Sequence, residues 1–181
     1  MEHNDDKSDL KRIKLRNAPE EEFLKKLEDN IYGVRFIGFK ARDYDTGDIF
    51  HQFKTKNIFD LDYFADHFLH YVFPHSMLLC KNIGTNLTFV VGDKPVKNLE
   101  FIEKHYIDGS LMKSFEFSFP FFMPNSENDI EFIYSMPQLP ENVTERIKKG
   151  EDIEASSDTY VCVEGNLIIH RRAQYKYAKL S

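Results

Sequence analysis

The stretch KSFEFSFPFFMPNSEN (residues 113–128) decides the fold class. Four phenylalanines alternate in it with polar residues or proline: Phe115, Phe117, Phe119 and Phe121. Alternation with a period of two is typical of a β-strand that buries one face. Four phenylalanines on one face present a large apolar surface. That surface either packs in an ordinary core or lines a cavity inside the core.

Runs with the same period flank this strand on both sides. Residues 30–43 and 48–53 are separated by Asp45-Thr46-Gly47, which predicts a β-hairpin. Eight or nine short strands with little helix predict an all-β fold, a β-sandwich. The other predicted strands cover residues 67–73, 86–93, 98–106, 129–136, 159–165 and 166–180.

Two helices are predicted outside the strands. Residues 18–29 place Pro19 and three glutamates in the first turn, as a helix N-terminus favours. Residues 140–150 carry two lysines in the last turn and stop at Gly150.

The predicted organisation is asymmetric along the chain. Residues 1–9 are polar and predicted to be disordered, and residues 10–17 form a basic patch. We expect a disordered tail and a short N-terminal helix over residues 1–28, followed by one β-sandwich domain over residues 29–181.

Composition excludes several classes of protein. A net charge of -6 over 181 residues argues against a nucleic-acid-binding surface, which needs a basic excess. Two cysteines, Cys80 and Cys162, are too few for a disulfide scaffold. No apolar stretch follows the first residues, so neither a secretory signal nor a membrane span is predicted and we expect a soluble cytosolic protein.

Catalytic and metal-binding motifs are sparse. The chain has no GxSxG, no glycine-rich phosphate loop and no HExxH. His67 and His70 share a predicted strand in an HxxH pattern, which puts them on opposite faces and makes poor metal geometry. We therefore predict no catalytic residue, no cofactor and no metal.

Large aromatic residues recur on several strands besides the quoted one, including Phe36, Phe73 and Phe89. Side chains of this size pack well in an ordinary sandwich core, but they could also hold two sheets apart. Glu103 shares the face of Phe101. An inward carboxylate needs a hydrogen-bond donor, and a ligand could supply it.

Longer segments of the chain resemble a known family. EFIEKHYIDGSLMKSFEFSFPFFMPNSEND (100–129), preceded by FVVGDKPVKN (89–98), is similar to the core of the uncoordinated-119 family of lipid-cargo carriers. That family is sister to the delta subunit of rod cyclic-GMP phosphodiesterase, which carries prenylated proteins. The similarity runs in order from about residue 29 to 177. Further matching segments are NIYGVRFIGFKARDYDTG (30–47), DIEFIYSMPQL (129–139) and LIIHRRAQYKY (167–177).

The resemblance implies an immunoglobulin-like β-sandwich with a hydrophobic lipid-binding cavity between its sheets. Members of the family bind the N-terminal myristoyl group and first residues of acylated proteins and carry them through the cytosol, often to the cilium or flagellum. A GTP-bound Arf-like small GTPase releases the cargo. By this resemblance the chain is a monomeric carrier and not an enzyme, with no nucleic-acid partner and no stable membrane insertion.

Site residues follow from the same resemblance. Glu103 falls on the family's polar contact to the peptide end of the cargo, and Tyr71 is its expected partner there. The implied lipid-binding residues are Phe36, Phe39, Tyr71, Met77, Phe115, Phe117, Phe132, Tyr134, Tyr160 and Tyr175.

Three residues depart from the family pattern. Phe132 stands where histidine is usual, Met77 where an aromatic is usual, and Pro120 where glycine is usual. Proline cannot donate to a strand ladder, so the aromatic strand is predicted to be an edge or to carry a bulge at Pro120. A prenyl-protein carrier and a cavity-free interaction module stay open as alternatives.

Overall fold

The computed structural model describes residues 6–22, 24–25, 27–55 and 68–180. Three α-helices occur in these ranges: α1 (Asp6–Leu15), α2 (His75–Leu79) and α3 (Glu141–Lys148). Nine strands make up most of the described chain: β1 (Arg35–Asp43), β2 (Ile49–Lys54), β3 (Phe68–Pro74), β4 (Asn82–Val90), β5 (Val96–Ile107), β6 (Ser110–Phe122), β7 (Glu127–Ser135), β8 (Ile153–Val163) and β9 (Asn166–Ala178).

The strands form two sheets that pack face to face. One sheet has the order β2-β1-β4-β7, and the other has the order β3-β9-β8-β5-β6. Neighbouring strands are antiparallel except for β3 and β9, which are parallel. The predicted immunoglobulin-like β-sandwich is confirmed, and so are the β1–β2 hairpin and the helix within residues 140–150.

Two tight turns set the register of the five-stranded sheet. Asp108 and Gly109 join β5 to β6 with φ of 49° and 76°, and Glu164 and Gly165 join β8 to β9 with φ of 51° and 85°. Two consecutive residues with positive φ are typical of a type I′ hairpin turn, whose twist matches that of the flanking strands. The turns thereby decide which side chains of β5 and β9 face the other sheet.

The aromatic strand β6 does not present all four phenylalanines to one face. Phe115, opposite Glu103, is buried, but Phe121 is 48% exposed. Phe122 turns inward instead and packs edge-to-face on Phe89, with ring centroids 5.0 Å apart. The prediction of a common face is therefore wrong for Phe121.

The cause of this shift is a local irregularity beside Pro120. Asn98 has φ of 48° and lies between the pairs that join Leu99 to Phe119 and Lys97 to Phe121. Asn98 and Pro120 form no pair in the ladder although the register is the same on both sides of them, and the alternation of side chains changes at this unpaired position. Strand β6 is also the edge of its sheet, so the prediction that Pro120 lies on an edge strand is confirmed.

The chain before β1 differs from its prediction. Residues 6–9 belong to helix α1 rather than to a disordered tail, while residues 1–5 lie outside the described ranges. Within residues 18–29, the only described helical segment is a 3-10 turn, Leu27–Asp29. Tertiary contact explains the outcome, because α1 buries Ile13 completely against the outer face of the five-stranded sheet.

A buried polar network fastens this N-terminal segment to the sheet. Asp158 is fully buried, and it accepts hydrogen bonds from the backbone N–H of Glu20 at 3.0 Å and from the Arg172 guanidinium at 3.1 Å. Its other partner is His170 Nε2 at 2.9 Å. His170 Nδ1 accepts the backbone N–H of Leu24 at 3.1 Å, so Nε2 carries the proton that is donated to Asp158.

These contacts decide the ionisation of Asp158. Burial raises the pKa of the carboxyl, but the hydrogen bonds from His170 and Glu20 and the charge on Arg172 outweigh it, so the pKa lies below its usual value. A carboxyl whose pKa is lowered by folding stabilises the fold above its unfolded pKa of about 4 and loses that effect as the pH falls through its folded pKa.

Asp158→Asn is expected to lower the free energy of unfolding by about 3 kcal/mol at pH 7, because it disrupts a buried charged network. The difference from wild type shrinks as the pH falls through the folded pKa of Asp158. Urea denaturation at several pH values measures both effects.

Asp152→Asn is the matched control. Asp152 is exposed and pairs with Lys176 at 3.1 Å, so its loss is expected to change stability by less than about 1 kcal/mol. Equal losses for the two variants would contradict the anchoring role of Asp158.

Candidate functional site

Three cavities lie in a row between the two sheets. Cavity A is the largest of the three, cavity C is intermediate and cavity B is the smallest. Cavities A and B share Thr85, Phe101 and Glu103, and cavities B and C share Phe115 and Tyr134.

Cavity A has an aromatic wall with polar groups set into it. Phe36 and Phe39 come from β1, Tyr71 from β3 and Tyr175 from β9. The Tyr71 and Tyr175 rings stack with their centroids 5.7 Å apart. The Phe36 and Phe101 rings pack edge-to-face with their centroids 6.4 Å apart. Polar residues join them: Thr85, Glu103, Thr159, Arg171 and Arg172.

Cavity B is the narrow middle of the row. Phe132 from β7 stacks on Phe101 with ring centroids 4.7 Å apart and contacts Phe117 at 4.3 Å. The ring centroids of Phe115 and Tyr134 are 4.2 Å apart, and these two rings separate cavity B from cavity C. Rings packed this closely leave a constriction between the two larger spaces.

Cavity C is lined by flexible side chains. Met77 from α2, Met112 from β6 and Met136 after β7 contribute to its wall, with Leu139 and His105 nearby. Methionine adapts its shape to what it contacts, so this end of the row can accommodate apolar groups of different form.

Glu103 lies where cavities A and B meet. Its side chain is 21% exposed, and its Oε1 is 2.7 Å from His105 Nε2, although the two atoms are not aligned as a hydrogen bond. The carboxylate is therefore available to accept an N–H from a ligand. Burial and, after it, the negative charge of Glu103 raise the pKa values of Tyr134 and Tyr175, so both phenols stay protonated as hydrogen-bond donors.

The structure brings almost all of the predicted site residues together. Tyr71 and Glu103, the predicted peptide anchors, both line cavity A. The residues of the predicted lipid-binding set that line a cavity are Phe36, Phe39, Tyr71, Met77, Phe115, Phe117, Phe132, Tyr134 and Tyr175.

Tyr160 is the exception and corrects the prediction. It is fully buried on the outer face of β8, where its ring stacks on His170 at 4.7 Å and its hydroxyl reaches Glu20 at 3.4 Å. Side chains alternate along β8, so Tyr160 shares the face of Asp158 rather than that of the cavities.

Arg171 was not predicted as a site residue, although it lines cavity A. The signal was present in the sequence, because Arg171 stands at even spacing from Ala173 and Tyr175 on β9 and therefore shares their face. Met112, Met136 and Leu139 were also missed, and Met136 and Leu139 follow β7, where no strand alternation applies.

Comparison with known proteins places the chain in a family. The family model described as "GMP-PDE, delta subunit" matches residues 28–177. Protein unc-119 homolog B of Danio rerio is 39% identical over 166 residues, which cover 86% of this chain and 68% of that protein. The Homo sapiens homolog B is 38% identical, covering 87% and 66%, and protein unc-119 of Caenorhabditis elegans is 32% identical, covering 86% and 73%.

The two-sheet sandwich and its row of aromatic-lined cavities define a class of β-sandwich that holds apolar ligands in its interior. The chain belongs to the GMP-PDE delta subunit family and, within it, to the unc-119 proteins. Family membership supports a lipid-binding carrier role.

None of the helices in the described ranges has the length and apolar character to span a membrane. Within those same ranges, no group of three or more His, Cys, Asp or Glu side chains is placed to hold a metal ion. His67, one of the two histidines of the HxxH pattern, lies outside the described residues.

Proposed function

We propose that this protein is a cytosolic carrier that binds the N-terminal myristoyl group and first residues of acylated proteins. A GTP-bound Arf-like small GTPase releases the cargo, and the route often leads to the cilium or flagellum. The carrier acts as a monomer and makes or breaks no covalent bond. The observation that carries this proposal is the row of aromatic-lined cavities with Glu103 at the junction of cavities A and B.

The apolar part of the ligand provides most of the affinity. Burying a myristoyl chain at ~0.8 kcal/mol per methylene contributes roughly 10 kcal/mol of transfer free energy. Insertion of the same chain into a bilayer is favourable by a similar transfer free energy. An apolar slot can therefore exchange cargo with a membrane, but it cannot by itself distinguish a myristoylated protein from other lipids.

Polar groups of cavity A provide the selectivity. Glu103 can accept an N–H of the peptide that follows the acyl group, and the Tyr71 hydroxyl lines the same cavity. If a ligand lacks these peptide groups, the partly buried carboxylate receives no donor from it, and this lowers the affinity for that ligand.

Release depends on movement of the packed rings. The ring centroids of Phe115 and Tyr134 are only 4.2 Å apart, so movement of these two groups makes it easier for an acyl chain to pass along the row. A partner that binds more tightly to an open arrangement shifts the population toward it and lowers the affinity for cargo. The GTP-bound GTPase is proposed to act in this way.

A prenyl-protein carrier is the second candidate. Phe132 replaces the histidine that is usual in the family, and it packs between Phe101 and Phe117 without a polar group. The methionine-lined cavity C adapts to branched chains. Both features suit a ligand that is purely hydrocarbon.

Titration of one fluorescent peptide in N-myristoylated, farnesylated and unmodified forms tests the proposal. The myristoylated peptide is expected to bind at least about 100-fold more tightly than the unmodified one, because most of the affinity comes from the acyl chain. Fluorescence anisotropy measures the three dissociation constants.

Each outcome of this titration has a separate meaning. Equal binding of modified and unmodified peptides would refute the carrier proposal, and tightest binding of the farnesylated form would favour the prenyl carrier. In the same assay, a GTP-loaded Arf-like GTPase is expected to accelerate dissociation of the myristoylated peptide, whereas its GDP-loaded form has little effect.

Glu103→Gln is expected to weaken binding of the myristoylated peptide about tenfold, because a hydrogen bond to a charged acceptor becomes a neutral one. Glu100→Gln is the matched control. Glu100 lies on the same strand, where its Oε1 is 3.7 Å from Lys14 Nζ, and it lines none of the three cavities. An unchanged affinity for the Glu103 variant would remove the proposed polar anchor.

Phe115→Ala is expected to join cavities B and C and to shift the preferred acyl chain from myristoyl toward palmitoyl and stearoyl. The same substitution lowers stability by about 3–5 kcal/mol, so the fold is checked first by circular dichroism. Phe121→Ala, on the exposed part of the same strand, is the control and leaves the preference unchanged. A preference that does not move in the Phe115 variant would show that the acyl chain does not reach this constriction.

A further inference from the structure

Arg171 places a positive charge inside the sandwich. It lies on β9 opposite Thr159 of β8 and shares the inward face of Ala173 and Tyr175. Its guanidinium carbon is 6.0 Å from the centre of the Phe36 ring on the opposite sheet. The side chain therefore reaches across cavity A rather than out to solvent.

Apart from this contact with the Phe36 ring, the guanidinium makes no hydrogen bond and no ion pair with the described residues. Its Nη1 is buried and makes no hydrogen bond within the described part of the chain, and none of the ion pairs found there includes Arg171. The adjacent Arg172 differs, because its guanidinium forms an ion pair with the buried Asp158 at 3.1 Å. Two consecutive arginines thus have opposite environments.

The charge on Arg171 persists at neutral pH. Burial lowers the pKa of the guanidinium to about 10, which still leaves it protonated. A buried charge without a counter-ion is unfavourable by several kcal/mol, and an anion that enters the site removes that penalty. Glu103 lines the same cavity, but it forms no ion pair with Arg171 and lies beside His105 instead.

We propose that Arg171 binds a carboxylate of the ligand in cavity A. This inference rests on the proposed function, because it assumes that an acyl chain occupies the row of cavities. The planar guanidinium suits a carboxylate, which it can bind through two parallel hydrogen bonds. Two ligands offer this group beside an acyl chain: a free fatty acid, and an acylated peptide with an acidic residue near its N-terminus.

The cavity then contains two recognition groups of opposite charge. Glu103 accepts an N–H of the ligand, and Arg171 donates to an anionic oxygen. An acylated peptide with an aspartate or glutamate close to the acyl group satisfies both, whereas a free fatty acid satisfies only Arg171. Both kinds of ligand lead to the same prediction: a carboxylate near the acyl chain increases the affinity of the ligand for this protein.

The test compares ligands that differ only in this group. Myristate is compared with N-methylmyristamide, and a myristoylated peptide with Asp or Glu in its first positions is compared with the same peptide carrying Asn or Gln. Arg171→Gln is expected to weaken binding of the carboxylate ligands about tenfold and to change that of the neutral ligands less than twofold. The ligand pair that shows the loss identifies the source of the carboxylate.

Two further variants separate the effect of the Arg171 guanidinium on carboxylate binding from general changes in ligand binding. Arg171→Lys keeps the charge and is expected to retain part of the preference for a carboxylate. Lys113→Gln removes a cation at the other end of the row, where Nζ lies 5.6 Å from the centre of the Phe115 ring, and it is expected to leave the preference unchanged. Thermal unfolding without ligand confirms that each variant folds.

The possible results are distinct. Equal loss for carboxylate and neutral ligands, no loss at all, or a loss that follows Lys113 instead would overturn the role of Arg171 while leaving the carrier proposal intact. If wild-type protein binds none of the acylated ligands, the proposed function fails and this inference fails with it.

Discussion

Contacts between aromatic rings hold the two sheets together without filling the space between them. Phe36 meets Phe101 edge-to-face at 6.4 Å, Phe101 stacks on Phe132 at 4.7 Å, and Phe115 lies 4.2 Å from Tyr134. Rings are rigid and prefer a few relative orientations, so they cannot collapse into every gap as aliphatic side chains do. The space that remains between them forms cavities A, B and C, and the whole candidate site depends on this packing.

Charge is divided between the two faces of the five-stranded sheet. On the outer face, Asp158 is surrounded by His170, Arg172 and the backbone of Glu20, and all of them serve to attach the N-terminal segment. On the inner face, Arg171 has no such partners among the described residues. A satisfied network stabilises the fold, whereas an unsatisfied charge in a cavity is available to a ligand, so the two faces serve different purposes.

The candidate site was largely accessible from the sequence, and the two errors have different causes. Phe115 and Phe117 are predicted to line the cavity wall, and both line it. Tyr160 was placed by the family resemblance, but the regular alternation of β8 puts it on the outer face. For Phe121 the alternation itself changes along the strand. Phe121 follows the break at Asn98. Such a break has no reliable signature in an isolated sequence.

The sequence by itself determined the alternation of apolar and polar residues, the restriction of the Pro120 strand to an edge or a bulge, and the family to which the chain belongs. These follow from local chemistry and from segments that the family shares. Only the tertiary structure decided that α1 covers the outer face of the sheet and that Arg171 meets Phe36 across cavity A. Both depend on which residues distant in sequence come together, and that is decided when the strands pair and the two sheets pack.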